Sequence, residues 1–182
     1  ISLYLYSDFI IICCKLKAKG VVEVIRIAVC EDEQILLEQL TANIRAILDK
    51  HSIIYHMEAY TNGAALLARE AFDILFLDIV MEPFSGLELA KKLRARGDAS
   101  KMIFITSHEQ YAIDAYDVQA YHYLTKPVDI KKMEDVLLKL CGLLKEEYGR
   151  AITIRQGAAV RRVPLGQILY LEIMDRKIYL HK

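Results

Sequence analysis

The sequence predicts an α/β fold, a doubly wound five-stranded parallel sheet, followed by a C-terminal all-β fragment. Three observations predict it. Short apolar runs at residues 25–30, 53–59, 74–77, 102–105 and 120–124 alternate with longer stretches in which apolar residues recur at helical spacing. Four of those runs end in a carboxylate, hydroxyl or ammonium side chain: Glu31 with Asp32, Asp78, Thr106 and Lys126. Beyond residue 150 the helical period gives way to short β-like runs broken by Gly157, Pro164 and Gly166.

Residues 1–24 stand outside this scheme. The stretch 3–14 is apolar, but Asp8 interrupts it and it is too short for a membrane span; positive charge follows it, the reverse of a secretory signal. Because the chain opens on Ile1, residues 1–24 are read as a non-native or disordered leader, upstream sequence translated in frame, with the natural start near residues 21–24. No membrane attachment is expected.

The first helix is expected over 33–49, its stripe made by Leu36, Leu40, Ile44, Ile47 and Leu48. After the strand at 53–59 comes a short helix over 61–69 that opens with Thr61 as its cap. Residues 72–77 run into Asp78, and Ser85-Gly86-Leu87-Glu88 then has the Ser-x-x-Glu pattern of a capping box, which sets the start of the next helix. The helix expected over 109–119 offers Tyr111, Ala112, Ala115 and Tyr116 but few strong apolar anchors, as suits an element that moves. The last long helix begins at Asp129, a good N-cap, and carries Met133, Val136, Leu137, Leu140, Leu143 and Leu144. A charged linker at 147–150 with a helix-ending Gly149 follows.

In parallel sheets of this kind ligands gather at the carboxyl ends of the strands, so Glu31, Asp32, Asp78, Thr106 and Lys126 are expected to converge. Three carboxylates in one crevice repel, and a divalent cation is the economical way to keep them ionised. Oxygen ligands and an incoming phosphate suit Mg²⁺. Asp78 can be a nucleophile that gives an aspartyl phosphate, with Lys126 as a mobile point charge for a phosphate oxygen and Thr106 as a hydroxyl donor to it. Taken singly, such residues are most often a turn former, a solvated lysine and an ordinary strand threonine. Their joint placement in strand order is what speaks for the site.

On these residues, 25–144 resemble a response-regulator receiver domain, with a flavodoxin-like sheet and domain bounds of 25–146. The resemblance implies that Glu31 and Asp32 are the acidic pair, Asp78 the phosphoacceptor, Thr106 the switch hydroxyl and Tyr123 the aromatic switch residue. It also implies that Lys126 and Pro127 form the Lys-Pro pair with a cis peptide, that Gly86 is the glycine after the phosphoacceptor loop, and that Val80 lends its backbone carbonyl to the metal. Two departures stand out: Glu31 replaces the commoner Asp, and Pro83 comes one residue late. Phosphate on Asp78 is expected to draw Thr106 inward and Tyr123 after it, reshaping the surface made by the helix over 109–119, the strand over 120–124 and the helix from Asp129; the alternative is that Tyr123 is a half-buried strand aromatic.

Residues 151–182, with the runs 152–154, 159–164, 168–172 and 177–181, are similar to the opening of LytTR-type DNA-binding domains and cover about the first third of one. Residues 150–182 hold seven cations against Glu172 and Asp175, while the whole chain balances 24 Lys+Arg against 24 Asp+Glu. A neutral total thus hides a basic tail, either a phosphate-backbone footprint or a solvated cationic face. Arg176 and Lys177 are the candidate DNA contacts.

A chain of 182 residues with 54% hydrophobic content can bury a proper core. Its 4 cysteines show no metal-ligand spacing and are read as reduced thiols of a cytoplasmic protein. His108 lies two residues past Thr106 and is read as a surface-loop histidine that could still touch phosphate lifetime. The expected function is that of a phosphorylation-controlled transcription regulator, served by a sensor histidine kinase and forming a homodimer that binds DNA. The alternative is a stand-alone receiver that works by protein contact. An aspartate-nucleophile phosphatase, the enzyme reading, normally wants a second acid near the nucleophile, and Val80 stands where that acid commonly sits.

Overall fold

Strands made wholly of apolar residues are stable only where both faces of their sheet are covered, so the longest apolar runs belong at the centre. The computed structural model describes residues 9–12, 24–69, 72–111, 117–149, 151–156, 159–164, 170–174 and 177–181. In chain order these form β1 (Phe9–Ile12), β2 (Ile25–Cys30), α1 (Gln34–Lys50), β3 (Tyr55–Tyr60), α2 (Gly63–Leu67), β4 (Ile74–Leu77), α3 (Gly86–Ala95) and β5 (Lys101–Thr106). A single 3₁₀ turn (Glu109–Tyr111) follows, then β6 (His122–Thr125), α4 (Ile130–Gly149), β7 (Ala151–Gln156), β8 (Ala159–Pro164), β9 (Tyr170–Met174) and β10 (Lys177–His181). Two units are distinguished, Val24–Cys141 and a second made of Ile1–Glu23 with Gly142–Lys182.

The first unit is a five-stranded sheet in the order β3-β2-β4-β5-β6, every neighbouring pair parallel. β2, β4 and β5 are buried along almost their whole length, whereas the edge strand β3 holds only half-buried and exposed residues. Side-chain alternation divides the core into two layers. One layer joins Ala28, Cys30, Leu75, Leu77, Met102 and Phe104 to Leu66 of α2 and Leu87, Leu89, Ala90 and Leu93 of α3. The opposite alternates, Ile27, Val29, Ile74, Phe76, Ile103 and Ile105, are buried as well, as are Leu37, Leu40, Ile44, Ile47 and Leu48 of α1.

Local details depart from the sequence expectation for physical reasons. Strand β3 starts at Tyr55, because Ile53 donates its N–H to the Leu48 carbonyl at 3.0 Å in the turn that closes α1. Leu37 is buried on α1, and Leu36 is only half-buried. The cap of α2 is Asn62, which accepts from the Ala65 N–H at 2.8 Å, so Thr61 is not the capping residue. The capping box on α3 forms, with Ser85 Oγ accepting from Glu88 N–H at 3.2 Å and Glu88 Oε2 from Ser85 N–H at 3.0 Å. Of the helix expected over 109–119, residues 109–111 form the 3₁₀ turn and 112–116 lie outside the described residues. Helix α4 is capped by Asp129 and runs on to Gly149, so 147–149 of the expected linker are helical; no glycine or proline interrupts Leu143 to Tyr148. Leu143 is exposed.

In the second unit β1, β7 and β8 form an antiparallel sheet, with Ile11 opposite Ile154 and Ile152 opposite Val163. Residues 9–12, expected in the leader, therefore supply its outer strand. β9 and β10 pair as an antiparallel hairpin in which Lys177 stands opposite Met174; Arg176 lies outside the described residues. Among the described residues no helix is long and apolar enough to cross a membrane.

A polar clamp fastens the end of α3. The Arg94 guanidinium donates to the carbonyls of Asp98 at 2.7 Å, Val118 at 2.9 Å and Ser100 at 2.9 Å, and burial lowers its pKa from the ordinary arginine value. Arg94→Ala should cost about 1–3 kcal/mol in urea unfolding, because these carbonyls and that of Gln119, at 3.4 Å, lose a charged donor, and Arg94→Lys should restore only part of it. A surface cluster on β3 gives a pH signature. Hydrogen bonds from Tyr60 and Arg69 hold the Glu58 carboxyl down to about 2 against an ordinary 4.5. A depressed carboxyl stabilises above its unfolded value and loses that contribution as pH falls through the folded one. The stability gap between the parent and Glu58→Gln should therefore be full at pH about 6 and shrink as pH falls below about 4, read from urea midpoints.

Candidate functional site

Register brings the strand ends together. Leu77 lies opposite Cys30 on one side and Phe104 on the other, so Glu31 and Asp78 leave adjacent strands at the same level. Backbone hydrogen bonds continue the ladder past the strands: Asp78 N–H to the Cys30 carbonyl at 2.9 Å, Glu31 N–H to that of Tyr60 at 3.1 Å, and Lys126 N–H to that of Thr106 at 2.9 Å. The sheet thus delivers Glu31, Asp32, Asp78, Thr106 and Lys126 to one edge.

The Lys126 ammonium reaches both buried acids, at 2.6 Å from Glu31 Oε2 and 2.8 Å from Asp78 Oδ2. Burial pulls the Lys126 amine down, but those hydrogen bonds outweigh it and hold the group above the ordinary lysine value. Burial pushes the Glu31 carboxyl up; the Lys126 hydrogen bond opposes this and the Asp78 charge reinforces it, leaving it above the usual carboxylate range. Glu31, Asp32 and Asp78 can each offer an oxygen such that all lie within 4.8 Å of one another. Three carboxylates against one ammonium leave two negative charges, and an all-oxygen donor set with that residue of charge fits a hard divalent cation. The same carboxylates, after burial itself, push the Cys30 thiol up to about 12 and keep it protonated.

The loop after Asp78 is shaped by what it buries. Ile79 and Met81 point into the core and Val80 is exposed, its N–H donating to Asp78 Oδ1 at 3.3 Å. Gly86 closes the loop by donating its N–H to the Ile79 carbonyl at 2.9 Å, and a Cβ at Gly86 would stand 1.9 Å from the Asp78 carbonyl oxygen. The peptides before Pro83 and Pro127 are both cis. A cavity of about 290 Å³ bordered by Leu36, Leu40, Ile105 and Pro127 opens beside Glu31 and Lys126.

Thr106 is fully buried, and its Oγ1 accepts from the His108 N–H at 3.4 Å. The carbonyl of that same His108 accepts from the Tyr123 hydroxyl. One exposed histidine therefore joins Thr106 to Tyr123 through its two backbone groups. Nothing in the sequence marks it, because backbone hydrogen bonds are blind to side-chain identity.

Residues 27–138 match the family described as the response regulator receiver domain. The chain belongs to this receiver family. It is 26% identical over 155 residues to the sensory transduction protein LytR of Streptococcus mutans, covering 85% of this chain and 61% of the relative. It is 28% identical over 154 residues to the transcriptional regulatory protein LytR of Staphylococcus aureus, with the same coverage of 85% and 61%. The chain thus spans about three fifths of the length of these curated relatives. Among solved structures, the response regulator TrrA of Thermotoga maritima in complex with Mg²⁺-BeF is 28% identical with a TM-score of 0.54, over 64% of this chain and 99% of that one. The response regulatory domain of mrkE from Klebsiella pneumoniae has a TM-score of 0.58 at 23% identity, over 67% of this chain and 99% of that one, and shows the shared fold. Receiver membership supports phosphorylation-dependent two-component signalling, and the relatives are named as sensory transduction and transcriptional regulatory proteins. Receivers bind Mg²⁺ at an acidic pocket, and an acidic cluster is present here.

The 1.9 Å approach at Gly86 yields a prediction, since the atom met is backbone and cannot give way. Gly86→Ala should shift the 78–86 loop, visible as large amide shift changes at Asp78 and Val80 in NMR, and lower stability by about 1–3 kcal/mol while leaving the β3 edge unperturbed.

Proposed function

We propose that the chain is a phosphorylation-dependent response regulator that accepts a phosphoryl group on Asp78 from a sensor histidine kinase. The observation that carries this reading is the Asp78 carboxylate itself, held 2.8 Å from the Lys126 ammonium at the end of the central strand β4, with Glu31 and Asp32 beside it. A carboxylate oxygen of Asp78 attacks phosphorus, the bond from phosphorus to the donor's imidazole nitrogen breaks, and the electron pair leaves on that nitrogen. Lys126 is placed to follow one phosphate oxygen from the carboxylate it now touches. Glu31, Asp32, Asp78 and the Val80 carbonyl would hold Mg²⁺, which when bound offsets charge on the transferring group.

The phosphoryl group would then be sensed by Thr106. Turning its hydroxyl toward phosphate weakens the contact from the His108 N–H, and the His108 carbonyl is the acceptor of Tyr123, so the aromatic responds. We assign the output to a homodimer formed on phosphorylation. The relatives named as sensory transduction and transcriptional regulatory proteins favour transcription as the readout, through a DNA-binding domain that β7 to β10 would begin, with Arg176 and Lys177 as backbone contacts. A soluble protein of the cytoplasm suits such a role.

The test is incubation with Mg²⁺ and acetyl phosphate. The parent should gain the mass of one phosphoryl group and shift toward dimer; Asp78→Asn, or chelation of Mg²⁺, should abolish both, and Lys126→Ala should slow uptake by about 10²–10³-fold. Tyr123→Ala should accept phosphate yet stay monomeric. No mass gain in the parent sinks the reading, and a phosphorylated parent that neither dimerises nor binds DNA leaves only the stand-alone receiver.

A further inference from the structure

We propose that Phe84 is a positioning residue for the cation site, acting through its seat on Gly63 of α2. The inference rests on the Mg²⁺ reading above. The loop from Asp78 to Gly86 is pinned at Ile79 and Met81, whose side chains are 2% and 6% exposed, and at Ser85 by the capping box. Between Met81 and Ser85 lies the stretch that departs from the usual family pattern, Glu82-Pro83-Phe84 with proline one residue late.

Phe84 takes up that stretch. Its ring edge occupies the place of a side chain at position 63: a Cβ there would lie 2.7 Å from Phe84 Cε2 and 3.3 Å from Cζ, with Leu89 Cδ2 at 3.2 Å. The Lys92 ammonium covers the ring at 4.0 Å from its centroid, within cation–π range. The ring is thus held between bare backbone on α2 and a cation on α3.

The other end of the loop has no slack. Gly86 sits where a single added carbon would strike the Asp78 carbonyl oxygen at 1.9 Å, and its N–H is bonded to the Ile79 carbonyl at 2.9 Å. A shift of Phe84 cannot be absorbed at Gly86 and is passed across the loop to the Asp78 and Ile79 carbonyls that Gly86 meets, beside Val80. Mg²⁺ tolerates little departure from octahedral geometry, so the cost of such a shift falls on cation affinity before it falls on the fold.

The experiment measures Mg²⁺ affinity by calorimetry, without any phosphoryl donor, at a temperature where each protein is fully folded. Phe84→Ala should bind Mg²⁺ about tenfold more weakly than the parent, and Phe84→Leu should retain most of the affinity. Gly63→Ala, which must displace the ring, should weaken binding in the parent background and add nothing in the Phe84→Ala background. Arg94→Ala, which destabilises the same helix away from the loop, should bind as the parent does. Phe84→Ala with parental affinity, or an equal loss in Arg94→Ala, overturns the inference; a parent that binds no Mg²⁺ overturns the site reading beneath it. Should Phe84→Ala fail to fold, Gly63→Ala and Phe84→Leu decide the matter alone, and parental affinity in Gly63→Ala overturns it.

Discussion

One ammonium shared by two buried carboxylates is the interaction on which the site depends. Glu31 follows β2, Asp78 follows β4 and Lys126 follows β6, so the contacts at 2.6 and 2.8 Å tie together three strands that only the sheet brings near. Without that ammonium, Glu31 and Asp78 would face each other in a poorly solvated notch, and an unpaired buried carboxylate takes up a proton rather than bear the cost. Lys126 is held in turn by its own N–H on the Thr106 carbonyl, so the residue that neutralises the acids is also registered against the hydroxyl beside them. The pairing is incomplete by design of the residue set. Two charges remain unmatched, and on the proposed reading that surplus is what would make the notch receptive to a divalent cation and then to a phosphoryl group.

Rigid and adjustable parts are separated around this pair. Asp78 and Glu31 stand at the ends of fully buried strands, whose packing leaves little freedom. The side that would sense phosphate on the proposed reading is softer: an exposed loop at Ser107 and His108 and a half-buried Tyr123, whose hydroxyl is bonded to the His108 carbonyl. Such an arrangement suits a two-state element, since the bonds can exchange without opening the core.

Much of this was legible in the sequence because the informative residues sit at a fixed place relative to a strong signal. A buried strand is an unbroken apolar run, and the polar residue that ends it is found by reading to the end of the run; hence Glu31, Asp78, Thr106 and Lys126 were found, as was the capping box at Ser85 and Glu88. What escaped depends on contacts between residues distant in sequence or on backbone groups. Arg94 looks like an ordinary cation in the last turn of a helix until its carbonyl partners at Asp98, Ser100 and Val118 are seen. Gly63 looks like a mild helix weakener until Phe84 is found in its place. β3 starts later than the apolar run that begins at Ile53, because Ile53, apolar and buried, serves the turn after α1 rather than the sheet.

Charge arithmetic indicates how a signal from this pocket must travel. On the proposed reading, phosphorylation replaces one carboxylate charge of Asp78 by the two of a phosphoryl group, a net change of about one unit beside a lysine and a divalent cation. At physiological ionic strength a surface field of that size is screened within about 8 Å. Long-range repulsion is therefore too weak to reorganise a protein surface. A local mechanical route is required, in which a differential contact in the pocket biases a packed element. On the proposed reading, the hydrogen-bonded path from Thr106 through the two backbone groups of His108 to Tyr123 is short and partly buried, and its bonds are ones that phosphate would rewire to meet that requirement.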